Sequence, residues 1–397
     1  MQHLKEYRQA LPPLWLLVFV SGLGPISMNG VLPANNAIMQ ELVASQGQIQ
    51  LLLTLYLLST LLAQPFLGNW ADRVGRRPVA IFGLLVFALG SAIAALAPSI
   101  EWLLLGRAAQ GAGSAACMAI PRTIVRDVYP RNKAASVIGY LTTAMMVVPM
   151  IGPAICGWIT DATSWRWVHA LLAVLGLLAA LGAYVKQHET RPPRPEGQQP
   201  VGFISASRTL FAAPGFLGYC LLLCGSVGLY FGFISSSPYI MMNLRGHSAS
   251  SYGSWFAVVA VGYISGNLLA GRFSSTVGTT RMLKIGVSLA CLAVVGFWVL
   301  SGIEHPLGLF APMFLVAMSN GMSIPNVNAA ALGLVPHLAG NASGLLGVAY
   351  LGMGVLLSFV LAALLGESAT PLYLSMTICI AIAIVGLKLV LEAEDQT

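Results

Sequence analysis

The sequence predicts an all-α integral membrane protein. It should have twelve transmembrane helices in two pseudo-symmetric six-helix bundles, with both termini cytoplasmic. Three observations carry this expectation. Of 397 residues, 57% are hydrophobic and only 8% are charged, with a mean hydropathy of +0.80, whereas soluble chains carry roughly 25% charged residues. Apolar runs of about 20 residues, the length a helix needs to cross a bilayer, recur along the chain. One extended polar stretch near the middle separates six such runs from six others.

In order, the expected spans cover residues 13–38, 48–68, 78–98, 102–126, 133–160, 166–186, 214–238, 250–272, 282–302, 307–335, 340–366 and 370–391. The first is read as a retained helix, because no obvious cleavage site follows Met1–Pro13 and its apolar run. Strand-like alternation is absent, and backbone facing lipid must be satisfied inside helices. Between the sixth and seventh spans lies Lys186–Arg208, with Glu189-Thr190-Arg191-Pro192-Pro193-Arg194-Pro195. Proline and charge keep this stretch out of the bilayer. The bundles are therefore expected over 1–186 and 214–397, joined by a cytoplasmic linker over 187–213.

The net charge of +7 would suit nucleic acid, but its placement argues for orientation. Of the 20 Lys and Arg, all except Arg107, Arg166 and Arg245 fall on segments or helix ends that this topology places inside. The outer loops carry Glu41, Glu101, Asp161, Glu304 and Glu367. This is the positive-inside asymmetry, and no nucleic-acid partner is implied. All six cysteines lie inside expected spans, so neither disulfides nor a metal site is expected. With no phosphate-binding loop, nucleophile elbow or ligand cluster, no cofactor and no enzymatic activity are expected. His169, His247 and His337 map near membrane faces and read as satisfied interfacial residues.

The halves echo each other. Gly68 and Gly75 recur as Gly271 and Gly278, Met118-Ala119-Ile120-Pro121 as Met322-Ser323-Ile324-Pro325, and Ala135-Ser136 as Ala342-Ser343, at offsets of 203, 204 and 207. Such a parallel repeat places a substrate cavity between rocking halves.

Between the second and third spans, Gly68-Asn69-Trp70-Ala71-Asp72-Arg73-Val74-Gly75-Arg76-Arg77-Pro78 reads as a short charged turn at a membrane face. It resembles the signature loop of the major facilitator superfamily. Leu105-Gly106-Arg107-Ala108-Ala109-Gln110-Gly111 in the fourth span resembles that family's membrane-arginine motif. Pro149-Met150-Ile151-Gly152-Pro153-Ala154-Ile155-Cys156-Gly157 in the fifth is similar to the antiporter motif of drug exporters. With Leu32-Pro33, Arg126-Asp127-Val128-Tyr129-Pro130, Ser164-Trp165-Arg166-Trp167, Glu189-Thr190-Arg191 and Ser235-Ser236-Ser237-Pro238-Tyr239, the pattern resembles the bicyclomycin/chloramphenicol-resistance (Bcr/CflA) group of drug:proton antiporters.

The resemblance implies export of small hydrophobic, drug-like compounds from a bacterial inner membrane by alternating access. The partners would be the substrate, protons and the lipid bilayer, and the chain would act as a monomer. Asp72, Arg73, Arg76, Arg77 and Asp127 would form the gate, with Asp72 capping a neighbouring helix and an arginine pairing with Asp127. Arg107, buried at a cost of at least about 2.5 kcal/mol, would organise the cavity with Gln110 and Asn29 unless it snorkels to the outer face. Tyr56, Met146, Tyr230, Phe231 and Asn320 are candidate substrate contacts, a mix of aromatic and polar groups suited to weakly polar drugs. Pro149, Gly152, Pro153 and Gly157 would act through geometry alone, by bending and close packing.

One departure matters. The group commonly carries an aspartate near the end of the first span, where this chain has Asn29, which cannot titrate. A metabolite, sugar or peptide exporter or uniporter of the same fold, and a flux-free sensor, are the alternatives this leaves.

Overall fold

Helix boundaries follow local chemistry. The computed structural model describes residues 12–129, 137, 141, 145, 151–191, 203–335, 338–366 and 368–395, and all regular structure among them is helical. The first unit begins with α1 (Leu14–Gly30), a 3-10 turn over Leu32–Ala34, and α2 (Asn35–Glu41). Next come α3 (Gln46–Val74), α4 (Arg76–Ala95) and α5 (Ile100–Val128), then a helical stretch over 151–162 labelled α6, and α7 (Trp165–Lys186). Ser45 opens α3 with a reciprocal cap: its hydroxyl accepts from the Gln48 N–H, while the Gln48 side chain accepts from the Ser45 N–H.

The later elements are α8 (Phe203–Ala212), α9 (Phe216–Tyr239), α10 (Ala249–Val277), α11 (Thr279–Val299), α12 (Leu307–Leu334), α13 (Ala339–Leu364) and α14 (Thr370–Glu394). At the end of α9, Pro238 supplies no N–H. The helix then widens into a π turn over Ile240–Leu244, closed by the Arg245 N–H on the Ile240 carbonyl at 3.1 Å.

Ten helices among the described residues are long and apolar enough to cross a membrane. The helix α5 is also 29 residues long, but small residues and Arg107 dilute its hydropathy. The expected fifth span lies largely outside the described residues, as do Met146 and Pro149. One expectation needs correction. The second span does not end near Gly68, because α3 continues through Asp72 and Arg73 to Val74, leaving Gly75 as the whole turn. The expected linker region contains the short helix α8.

The chain divides into two compact units, Met1–Glu196 with Ser248–Ser254, and Gly197–His247 with Trp255–Thr397. In the first, α4 packs on α5 and α7, while α1 and α3 also pack on α5. Phe87, Leu84, Cys117 and Leu172 lie in one core, and Leu67, Val79, Ile120 and Ile124 in another. In the second, α9 packs against α12, α13 and α14, and α11 against α12 and α14. Leu85, Leu89, Trp102, Leu177 and Leu181 are exposed, as expected where hydrocarbon is the solvent.

Candidate functional site

Gly75 sits at φ +121°, a conformation that side-chain-bearing residues rarely adopt, and it turns α3 directly into α4. This brings Arg76 back over the end of its own preceding helix. The Arg76 guanidinium donates to Asp72 (Nη1 to Oδ1, 2.6 Å), to Asp127 on α5 (Nε to Oδ2, 2.8 Å) and to the Ala71 carbonyl (2.7 Å). Its side chain is only 7% exposed, against 12% for Asp127 and 64% for Asp72. A buried, hydrogen-bonded pair of this kind is costly to break on one side only. Arg76 is thus the hub that joins α3, α4 and α5.

The structure differs from expectation at the helix cap. The carboxylate at the N-terminus of α4 belongs to Glu189, which accepts from the backbone N–H groups of Arg76 (2.8 Å) and Arg77 (3.1 Å). Its Oε1 also accepts from Thr190 and Arg191, and a Cβ on Gly75 would collide with the same carboxylate. Asp72 makes its bond to Arg76 instead. Around this centre, Arg77 donates to the Tyr184 carbonyl at 2.7 Å, and the Arg191 side chain donates to the Arg73 carbonyl. The Arg73 contact is therefore made by backbone. The second unit repeats the arrangement: α10 ends at Val277, Gly278 has φ +91°, and α11 begins at Thr279. There the Thr280 hydroxyl donates to Glu394 at 2.5 Å.

For Glu189, partial burial raises the pKa, but the N–H donors of Arg76, Arg191, Arg77 and Thr190 outweigh it and hold the carboxyl below its usual 4.5. A carboxyl whose folded pKa is depressed stabilises the fold above its unfolded value, and that contribution disappears as pH falls through the folded value. Glu189→Gln should therefore lower the midpoint of thermal unfolding of purified protein at neutral pH. The gap to wild type should close once the pH drops well below 4.5. An unchanged midpoint at neutral pH would mean that this cap does not hold α4.

Deeper in the unit, Arg107 is 1% exposed, so it does not snorkel. Its Nη1 donates to the Ser27 carbonyl on α1 at 3.0 Å and to the Gln110 side chain, and its Nε to the Leu52 carbonyl on α3 at 3.3 Å. The guanidinium lies 4.4 Å from the centre of the Tyr56 ring. Gln110 passes the network on to the Ser91 hydroxyl at 2.7 Å. The Tyr56 hydroxyl donates to the Gly24 carbonyl and pairs with the Ser27 hydroxyl, both at 2.8 Å. Among the described residues, the partners of this buried cation are oxygens of neutral groups.

Of the predicted residues, the structure brings Arg107, Gln110 and Tyr56 together. Tyr56 is 2% exposed and tied into this network. Asn29 lies two residues beyond Ser27 and is fully buried, and among the described residues neither amide atom has a partner. On α6, Gly152 sits against Ile26, where an added Cβ would lie at 3.0 Å. A Cβ on Gly157 would come within 2.5 Å of the Ala249 carbonyl, and one on Gly253 would collide with the Pro153 carbonyl. Residues 249–253 group with the first unit for this reason, and Asp161 accepts from the Ser250 N–H at 2.8 Å.

In the second unit, Phe231 is buried edge-to-face against Tyr230 and Tyr350, and the Asn320 carbonyl oxygen is buried with no partner among the described residues. Sequence reasoning missed Ser27, Ser91 and the contact of Glu189. It also misread His169, which is not a satisfied interfacial residue: the ring is 0% exposed and, among the described residues, neither nitrogen is partnered.

A helical bundle built to cross a membrane, with an ion-paired hub at a helix turn and an unneutralised arginine inside, defines the class of polytopic membrane transporters. The chain belongs to the Major Facilitator Superfamily, whose family model matches residues 14–358, a family of transporters rather than enzymes. It is 30% identical to a chloramphenicol resistance protein of Pseudomonas aeruginosa over 80% of this chain and 76% of that one. It is 26% identical to a bicyclomycin resistance protein homolog of Haemophilus influenzae over 93% and 94%. Multidrug resistance protein D of Escherichia coli matches at 29% over 87% of each. These relatives bear out the resemblance to the bicyclomycin/chloramphenicol-resistance group. In fold, it is similar to a bacterial homolog of the human lysosomal transporter Spinster in an inward-facing, unoccupied conformation. There the TM-score is 0.74 at 20% identity, covering 98% of this chain and 97% of that one.

Proposed function

We propose that this chain is a secondary exporter of small hydrophobic compounds in a bacterial inner membrane, driven by proton entry. It would work as a monomer of twelve helices with both termini cytoplasmic. The observation that carries the reading is the Arg76 hub, which ties α3, α4 and α5 through Asp72 and Asp127 and can be released without unfolding any helix. Breaking such a buried pair on one side alone is costly, but a movement that hydrates Arg76 and both carboxylates together regains the solvation lost on burial, so the hub can bias two conformers without locking either. The resistance proteins among its relatives support the substrate class. A membrane potential of 100 mV supplies about 2.3 kcal/mol per charge moved, which is the driving force on this reading.

The test is accumulation of a phenicol and of ethidium in cells expressing the chain, with and without a protonophore. Lower accumulation that the protonophore abolishes is the expected result. No difference in either state overturns the drug-export reading.

A second reading, the same fold moving a metabolite, sugar or peptide without proton coupling, is favoured by Asn29 alone. Asn29→Asp should then create a new titrating group in a buried, unpartnered position. On this reading wild-type flux is independent of pH, and flux of the transported compound through the variant should gain a pH-dependent component. A pH profile identical to wild type would show that coupling is not decided at this position.

A further inference from the structure

We propose that the lipid-facing end of α3, α4 and α7 holds the headgroup of an anionic phospholipid, its phosphate taken by the side chains of Arg73 and Arg77. The Arg76 hub uses neither of these guanidiniums. Arg73 contributes only its backbone carbonyl, to Arg191, and the Arg77 side chain reaches away to α7, where Nη2 donates to the Tyr184 carbonyl at 2.7 Å. Among the described residues neither guanidinium meets a carboxylate: Asp72 and Asp127 pair with Arg76, and Glu189 accepts from backbone N–H groups. With Lys186 and Arg191 alongside, this corner holds more cations than acids.

The two arginines are not needed to make the turn. The second unit turns at Gly278, also at positive φ, with Thr276 and Thr280 where Arg73 and Arg77 stand about Gly75. The strap after α7 brings their backbones together. One Glu189 carboxylate accepts from the N–H groups of Arg77 and Arg191, and Arg191 in turn reaches the Arg73 carbonyl.

What lies beside these cations is apolar and faces lipid. On α3, Phe66, Trp70 and Arg73 follow about a turn apart, so they share one helix face, and all three are exposed. Phe82 and Leu85 form such a stripe on α4, as do Leu181 and Tyr184 on α7, all exposed. The stripes adjoin. Trp70 meets Phe82 edge-on at 5.0 Å between ring centres, and the Arg77 guanidinium lies 5.4 Å from the centre of the Tyr184 ring. Guanidiniums at the helix ends, aromatic rings next and aliphatic side chains beyond match a lipid's phosphate, glycerol region and acyl chains in order. A free anion would gain from the arginines alone, whereas a phospholipid also covers the stripes. A net negative headgroup is favoured because the planar guanidinium fork matches phosphate oxygens, and no attached cation offsets the attraction. Bound here, the lipid bridges helix ends that the hub joins, without touching Arg76, and so favours the closed hub. The site is independent of what the chain exports.

The test uses the purified full chain in an uncharged detergent at low salt, with short-chain phosphatidylglycerol as the probe. Phosphatidylcholine of the same chain length and inorganic phosphate are the comparisons, and the readout is melting temperature against added compound. Each basic residue near a membrane surface favours an anionic lipid by about fivefold, so two should favour it by about thirtyfold. Phosphatidylglycerol should therefore raise the melting temperature saturably, with half the effect at a concentration about thirtyfold below that for phosphatidylcholine. Arg73→Gln combined with Arg77→Gln should abolish that preference. Equal action of the two lipids on wild type overturns the inference, as does a preference that R73Q/R77Q retains. A shift of the same size from inorganic phosphate alone also overturns it, since the site would then take a free anion. Where the double variant does not fold, quenching of Trp70 by lipids with brominated chains is measured in liposomes, as the difference between wild type and Trp70→Phe. Stronger quenching by the phosphatidylglycerol than by the phosphatidylcholine supports the site, and equal quenching overturns it.

Discussion

Arg107→Lys should lower the initial rate of ethidium export in liposomes by at least about a hundredfold, while the protein still accumulates in the membrane. Charge is kept, so the effect isolates geometry. The guanidinium reaches acceptors on three helices at once: the Ser27 carbonyl, the Leu52 carbonyl and the Gln110 side chain. It also lies over the Tyr56 ring. A lysine ammonium is a compact point charge on a flexible stem, without the planar fork that serves several acceptors or stacks on an aromatic face. Hydrogen bonds to charged groups contribute about 1.5–3 kcal/mol each, so losing even one or two accounts for a factor of this size. The three acceptors belong to groups with other partners or lone pairs to spare, which is why the fold should persist. Wild-type rates in R107K would show that the network is ordinary packing and that the fork has no part in the cycle.

How far the sequence could lead is clearest at particular residues. Helix positions were legible because apolar run length is a local property, and the repeat was legible because Gly75 and Gly278 do the same backbone work at matching places. Arg76 and Asp127 stood out because charged residues at span ends are few, and the structure pairs them. The partner of the α4 N-terminus was not legible. Glu189 lies 113 residues from Arg76 along the chain, and nothing local in Glu189-Thr190-Arg191 says which helix end its carboxylate will reach. His169 failed for a different reason. Its sequence distance from the span end suggested an interface, but burial depends on neighbouring helices, and here α1 and α4 close over α7. Asn29 shows the reverse case: the missing carboxylate was plain from sequence, and the structure adds that no described residue takes up its amide.

Gly90→Val should remove the protein from the membrane altogether, or leave it misassembled, with no export at any pH. On α4 and α5, Gly83, Gly90, Gly106 and Gly113 face one another at seven-residue spacing, so the two backbones touch. A Cβ at Gly90 would collide with the Gln110 backbone nitrogen and lie 2.7 Å from the Gly106 carbonyl, and one at Gly106 would lie 2.7 Å from the Ala94 nitrogen. These obstacles are main chain, which cannot rotate aside, so the helices must separate. Membrane helices have little hydrophobic drive to associate and depend on such close packing. Overpacking costs typically 1–3 kcal/mol even where side chains can yield. The same displacement carries Gln110 and Arg107 away from Ser91 and Ser27, so site and fold fail together. Gly344→Ala on α13 is the control, because a Cβ there meets nothing within 4 Å, and its membrane level and melting temperature should match wild type or rise slightly. Normal accumulation and export by G90V would mean that the glycines of the Arg107 motif do not set the helix spacing that positions the arginine.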